Sequence, residues 1–160
     1  MEISLAYDSA DELRALLAEY IESLLADDAS FAEYLDMQNF DAEFQCLESK
    51  YGLPYGRLYI ARMGGEAAGC IGLRQLSPDS GEMKRLYVKP GFRRQGIARL
   101  LVRQILSDAQ EIGYSNLLLD TMPSLAPAIR LYESLGFSRT GPYNDSPMET
   151  TVFMRRDLPL

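Results

Sequence analysis

Apolar residues in this chain recur at two spacings, alternate positions and three-or-four apart, and the switches between them divide it into elements. Ile3, Leu5 and Tyr7 alternate with polar neighbours, which predicts a short strand with one buried face. From Leu13 the spacing turns helical: Leu13, Leu16, Leu17, Tyr20, Ile21, Leu24 and Leu25 form one stripe of an amphipathic helix. Ser9, followed three residues later by Glu12, has the form of a capping box at its start. A second, less regular helix is expected over Phe31–Ser49. Arg57–Arg62 and Ala67–Leu76 read as two strands of a hairpin around Gly64-Gly65, residues suited to a two-residue turn.

The alternation continues after the turn signals Ser77-Pro78-Asp79-Ser80-Gly81. Met83–Val88 predicts a strand, ended by Lys89-Pro90-Gly91, and Ile97–Ile112 predicts a helix that stops at Gly113. Asn116–Asp120 is an apolar run of buried-strand length, and Ala128–Leu135 a short helix closing on Gly136-Phe137. Short strands are expected at Ser138–Thr140 and Thr150–Arg156, and Ser124 is expected to cap the short helix. The order predicts an α/β (α+β) fold in one domain over residues 1–160, a length that buries roughly 70% of the unfolded surface.

Composition narrows the function classes. The chain is 47% apolar and 24% charged, with no internal repeat or linker-like tract, which is ordinary for a globular domain. No apolar run approaches ~18 residues and no signal-peptide pattern opens the chain, so a membrane is not an expected partner. Cys46 and Cys70 make no disulfide framework, and a cytoplasmic setting is the expectation. With no histidine and no paired-cysteine spacing, no metal site is expected. A net charge of −7 argues against nucleic acid. Charge is unevenly placed: residues 1–56 hold 13 acidic and 2 basic side chains, whereas 82–103 hold seven basic ones against Glu82 alone.

That basic segment carries the candidate chemistry. Arg93-Arg94-Gln95-Gly96-Ile97-Ala98 lies between a strand and the start of a helix. The first helical N–H groups lack intrahelical partners and sit at the positive end of the dipole. Gly96 and Ala98 let a bulky anion approach them, so the expected ligand is a pyrophosphate. Neither Gly-x-x-x-x-Gly-Lys-Ser/Thr nor Gly-x-Gly-x-x-Gly occurs, which removes the ATPase-type loop and disfavours a dinucleotide site.

The pattern Arg/Gln-x-x-Gly-x-Gly/Ala, followed by Leu131-Tyr132 and Gly136-Phe137, resembles the GNAT superfamily of N-acetyltransferases over essentially the whole chain. The resemblance implies a mixed, mostly antiparallel sheet of six to seven strands flanked by about four helices. It implies acetyl-CoA as cosubstrate, held by Leu86, Tyr87 and Val88 along the strand and by Arg93, Arg94, Gln95, Gly96, Ile97, Ala98 and Arg99 at the loop. It also implies Tyr132 as general acid and Glu82 as a catalytic carboxylate. A phenol near pKa 10 protonating a thiolate near 8.5 is uphill by roughly 2 kcal/mol, which is tolerable. An ordinary glutamate is about six units, ~8 kcal/mol, too acidic to take a proton from an ammonium. Glu82 therefore needs burial or a water relay to serve as base, and pairing with Lys84 or Arg85 is its structural alternative. The resemblance further implies a small-molecule or peptide amine as acceptor, cationic if the acidic half walls its site, and a monomer or homodimer is expected. Many relatives carry an asparagine where this chain has Met122-Pro123-Ser124. The Tyr143-Asn144-Asp145 loop reads first as a plain turn, and Cys70 as buried packing. A silent acyl-CoA sensor with the same loop is the alternative to an enzyme.

Overall fold

A computed structural model describes residues 1–37 and 40–159. In chain order the elements are β1 (Glu2–Leu5), α1 (Ala10–Asp27), α2 (Phe31–Met37), α3 (Phe40–Gln45), α4 (Leu47–Tyr51), β2 (Arg57–Met63), β3 (Glu66–Ser77) and β4 (Ser80–Val88). They continue with α5 (Ile97–Ile112), β5 (Asn116–Thr121), α6 (Ala126–Ser134), β6 (Ser138–Thr140) and β7 (Val152–Asp157). The strands make one seven-stranded sheet in the order β1-β2-β3-β4-β5-β7-β6. Among the described residues the β4–β5 pair is parallel and the other pairs are antiparallel.

The period-two alternation places a core on each face. On β2, Leu58 and Ile60 pack with Leu13, Leu16, Leu17, Phe31 and Tyr51 of the N-terminal helices, while Tyr59 and Ala61 pack with Leu101, Val102 and Ile105 of α5. The hairpin turns at Gly64 and Gly65 with φ of 57° and 86°, the double positive φ of a type I′ turn. Helix α5 begins after Gly96 (φ 81°) and ends at Gly113 (φ 98°), as the two glycines predict.

Three local expectations are corrected. The capping box does not form: both its side chains go to Arg62 of β2, which reaches Ser9 Oγ at 2.9 Å and Glu12 Oε1 at 2.7 Å. A cation offers these oxygens a charge-assisted bond that a backbone N–H cannot match. The stretch Phe31–Ser49 is three short helices rather than one, running on to Tyr51, with Gln38 and Asn39 outside the described residues. Ser124 does not cap α6, because Pro123–Leu125 forms a 3₁₀ turn and Leu125 takes the capping position.

Two irregularities shape the middle of the sheet. First, β4 and β5 are paired only from Ser80 to Glu82 against Asn116 to Leu118, and beyond Glu82 the β4 edge loses its partner. Second, β4 carries a bulge against β3: Cys70 faces Tyr87 but Gly72 faces Lys84, so β4 holds one extra residue. Arg85 lies in that bulge with φ 61°, uncommon for a side-chain-bearing residue.

Candidate active site

The separation of β4 from β5 opens a cleft of about 700 Å³. Its walls come from both layers: Ile97, Leu119, Leu131 and Tyr132 belong to the α5–α6 side, and Tyr20, Leu24, Phe31 and Met122 to the side of the N-terminal helices. Of the sequence-predicted site residues, Leu86, Tyr87, Val88, Arg93, Arg94, Gly96, Ile97, Ala98, Arg99 and Tyr132 line it. Gln95 and Glu82 do not. The Gln95 amide donates to the Gly91 carbonyl at 3.4 Å, steadying the loop from outside.

The loop is built to receive an anion. Arg94 (φ 62°) and Gly96 (φ 81°) are both left-handed, and no side chain caps the following helix. The helix bonding starts with Leu100 N–H donating to Gly96 O at 3.1 Å, so the N–H groups of Ile97, Ala98 and Arg99 precede the first intrahelical donor. A Cβ at Gly96 would meet nothing within 4 Å, so the space in front of the backbone is open. Arg93 Nε donates to Val88 O at 3.0 Å, and Arg99 donates to Ser134 Oγ at 3.0 Å, tying the loop to β4 and α6. These features fit the pyrophosphate of coenzyme A: backbone donors at a helix start, flanked by guanidinium groups.

Tyr132 is 7% exposed, with its ring edge-on to Phe137 at 5.9 Å. Burial pushes its phenol above the usual tyrosine range, and Tyr20 and Asp120 push the same way. The phenol therefore keeps its proton through the neutral range.

Below the cleft, where the strands part, lies a buried charge network that sequence reading did not assemble. Glu82, 1% exposed, accepts from Arg74 Nε and from the Tyr143 hydroxyl at 2.8 Å, and Lys84 Nζ stands 3.4 Å from it. Lys84 also donates to Asp120 Oδ1 at 3.2 Å, and Asn144 donates to Asp120 Oδ2 at 2.9 Å. Lys84 and Asp120 line the cleft. Glu82 thus touches Lys84, as its structural alternative had it, while Arg85 goes elsewhere. Arg85 Nε donates to Glu43 Oε2 at 2.8 Å; Lys50 Nζ is 3.0 Å from Glu43 Oε1, which also accepts from the Tyr51 hydroxyl. Burial raises the Glu43 carboxyl, but Arg85 and Lys50 outweigh it and leave it below its ordinary value. Burial, followed by Arg85, brings Lys50 down to about 8. The available signal for the network was the i, i+2 pair Glu82 and Lys84 on one strand, with Asp120 two residues past the last β5 partner.

Among the described residues, none of the acids of the N-terminal half lines the cleft; Asp120 is the one carboxylate that does. Among the described residues, no three His, Cys, Asp or Glu side chains are grouped to hold a metal ion, and no helix is long and apolar enough to cross a membrane.

A sheet split beside an anion-ready helix start, with a protonated tyrosine in the gap, fits the site expected of an acyl-coenzyme A transferase. The comparisons agree. The chain matches the Acetyltransferase (GNAT) family over residues 15–137 and belongs to it. It is 38% identical over 150 residues to an uncharacterised N-acetyltransferase of Schizosaccharomyces pombe, covering 92% of this chain and 88% of the relative. Its fold resembles a GNAT-family acetyltransferase of Staphylococcus aureus (TM-score 0.77, 19% identity, 99% of each chain covered). It also resembles one from Elizabethkingia anophelis solved with acetyl-CoA bound (TM-score 0.57, 23% identity, 71% and 82% covered). The protein is an N-acetyltransferase, and its family uses acetyl-CoA as cosubstrate.

Proposed function

We propose that this chain, read as one domain, transfers the acetyl group directly from acetyl-CoA to a primary amine of a small molecule or peptide, with no acetylated enzyme. Its Tyr132 phenol, in the cleft beside the anion-ready loop, is the observation that carries this reading. The loop N–H groups of Ile97, Ala98 and Arg99, with Arg93 and Arg94, hold the pyrophosphate. The β4 edge at Leu86, Tyr87 and Val88, unpaired on its β5 side, offers backbone groups to the pantetheine arm.

The cysteines support direct transfer. Cys70 is fully buried and burial pushes its thiol up to about 12, which removes it as a thiolate nucleophile. Cys46 does not line the cleft.

In this reading the neutral amine nitrogen bonds to the acetyl carbon as the carbon–sulfur bond breaks. Tyr132 gives its proton to the departing sulfur and is reprotonated from solvent. A raised phenol makes that transfer costlier, but the desolvation that raises it also raises the thiol formed in the same cleft. The nitrogen's surplus proton leaves through Asp120 and water. Glu82 is removed from the cleft and balanced by Arg74 and Lys84, so in this reading it positions Lys84 and does not itself take the amine's proton. Free-thiol release from acetyl-CoA across a panel of primary amines tests the proposal. Amine-dependent turnover is the expected result. Stoichiometric thiol release without amine, leaving acetyl on the protein, would overturn direct transfer.

A further inference from the structure

The floor of the cleft lies where the β4–β5 ladder ends. Its last backbone pair is Glu82 with Leu118; two residues further along each strand, side chains take over, with Lys84 Nζ donating to Asp120 Oδ1 at 3.2 Å. That bridge spans the gap between the parting strands, and both its residues line the cleft. Register fixes the side of the sheet on which it stands. Lys84 pairs with Gly72, where a Cβ would meet the Tyr51 ring of the N-terminal layer. Leu117 and Leu119 belong to the core under α5, so the alternation of β5 turns Asp120 toward the N-terminal layer as well. Tyr132 comes from α6, in the opposite layer. A group held in the gap thus has the phenol on one side and the Lys84 ammonium on the other.

Lys84 is 7% exposed and held by two carboxylates, Asp120 at 3.2 Å and Glu82 at 3.4 Å. Those carboxylates are held in turn, Glu82 by Arg74 and Tyr143 and Asp120 by Asn144. An ammonium has three N–H donors, and among the described residues these two carboxylates are its partners. One donor is left for what enters the cleft, on a buried cation whose position the network fixes. A donor fixed in advance stabilises charge that develops beside it without reorganising first. The coenzyme arm leads to it. With the pyrophosphate at the loop and the arm along Val88, Tyr87 and Leu86, the thioester end points down β4 toward residue 84.

We propose that Lys84 is a further catalytic residue, donating its remaining N–H to the carbonyl oxygen of the acetyl group. It stabilises the negative charge that this oxygen gains as the amine nitrogen bonds to the carbon. When the carbon–sulfur bond breaks, the carbonyl re-forms and the sulfur takes the Tyr132 proton; Lys84 keeps its own protons throughout. The proposal rests on reading this cleft as the amine-acetylating site. It also gives Glu82 its purpose, since a carboxylate that never meets the amine still fixes the ammonium that meets the thioester.

Infrared spectroscopy of acetyl-CoA isotope-labelled at its carbonyl carbon, bound without amine, reads the contact, because a hydrogen bond from a cation lowers the carbonyl frequency. The band should lie lower on the wild type than in free acetyl-CoA. Lys84→Met with Asp120→Asn removes one cation and one carboxylate together and leaves Glu82 with Arg74, so no buried charge is stranded. There the lowering should be lost, whereas Asp120→Asn alone should keep it. At saturating amine, kcat of the double variant should fall roughly a further 10²–10³ below that of Asp120→Asn, the worth of one oxyanion donor. The KM for acetyl-CoA should hardly move. Should the double variant fail to fold, Lys84→Gln with Asp120→Asn puts two amides that can pair in its place. The lowering should then shrink to about half, since a charged donor bonds roughly twice as strongly as a neutral one. An equal band in wild type and variant, or no lowering in the wild type, would overturn the proposal while leaving amine turnover untouched. A lowering that the substitution removes, in a protein that acetylates no amine, would uphold the contact and sink the acetyl-transfer reading instead.

Discussion

The two ends of the cleft are made of different materials. The α5 end is local: six consecutive residues, Arg93 to Ala98, supply backbone N–H groups, two left-handed positions and an open approach at Gly96. The opposite end is assembled from α1, α2, the β4 bulge, β5 and the loop at Tyr143 and Asn144, and it works through side chains. In the proposed reading the coenzyme's pyrophosphate needs only the local end, and the side chains of the assembled end are left to vary without disturbing the phosphate grip.

The largest effect is expected where the two ends meet. Tyr132→Phe removes one hydroxyl and keeps the ring that packs on Phe137. If the phenol protonates the departing thiolate, kcat should fall by roughly 10²–10⁴ while the KM for acetyl-CoA hardly moves. Steady-state kinetics at saturating amine check this. A loss confined to KM would assign the hydroxyl to ligand binding and leave the cleft without its acid.

This contrast also explains what could be read from the sequence. The loop, the helix between Gly96 and Gly113, the hairpin at Gly64-Gly65 and the Tyr132 motif were legible because each depends on residues a few positions apart. Their order gave the α/β (α+β) class, and the family resemblance carried by the loop and the Tyr132 motif implied the mixed sheet, which has seven strands. The Arg85–Glu43 pair spans 42 residues and Lys84–Asp120 spans 36, and no local spacing encodes such partners. Arg85 read as a possible partner of Glu82, and the bulge, invisible in the alternation of Met83 to Val88, accompanies its pairing with Glu43 instead. Ser9 and Glu12 misled for the same reason, since the competitor for their oxygens, Arg62, comes from a distant strand.

A smaller effect tests how far the assembled end depends on its buried ions. Glu43→Gln leaves Arg85 and Lys50 without their shared carboxylate and should cost roughly 3–5 kcal/mol at pH 7, the usual loss on breaking a buried pair. The sign follows from the depressed carboxyl. Because the folded Glu43 titrates below its ordinary 4.5, its contribution is complete above that value and is lost as pH falls through the folded pKa. Denaturant unfolding of both proteins should therefore show a gap that is wide at pH 7 and narrows below about 4.5. A gap independent of pH would mean that packing, not charge, holds α3 against β4.

The smallest effects separate backbone from side chain within the local end. Acetyl-CoA should raise the melting temperature of the wild type, because it binds the native state alone. Gly96→Val puts a branched side chain into the open approach at φ 81°, a strained backbone for that residue. It should cost on the order of 1–3 kcal/mol of stability and abolish the coenzyme-induced rise. Gln95→Ala removes an amide that holds the Gly91 carbonyl from outside the cleft, so stability should change by about 0.5 kcal/mol or less. Thermal melts with and without acetyl-CoA should show the rise almost intact in that variant. If Gln95→Ala loses the rise as fully as Gly96→Val, side chains rather than backbone would hold the pyrophosphate, and the two ends of the cleft would differ only in how near their residues lie in sequence.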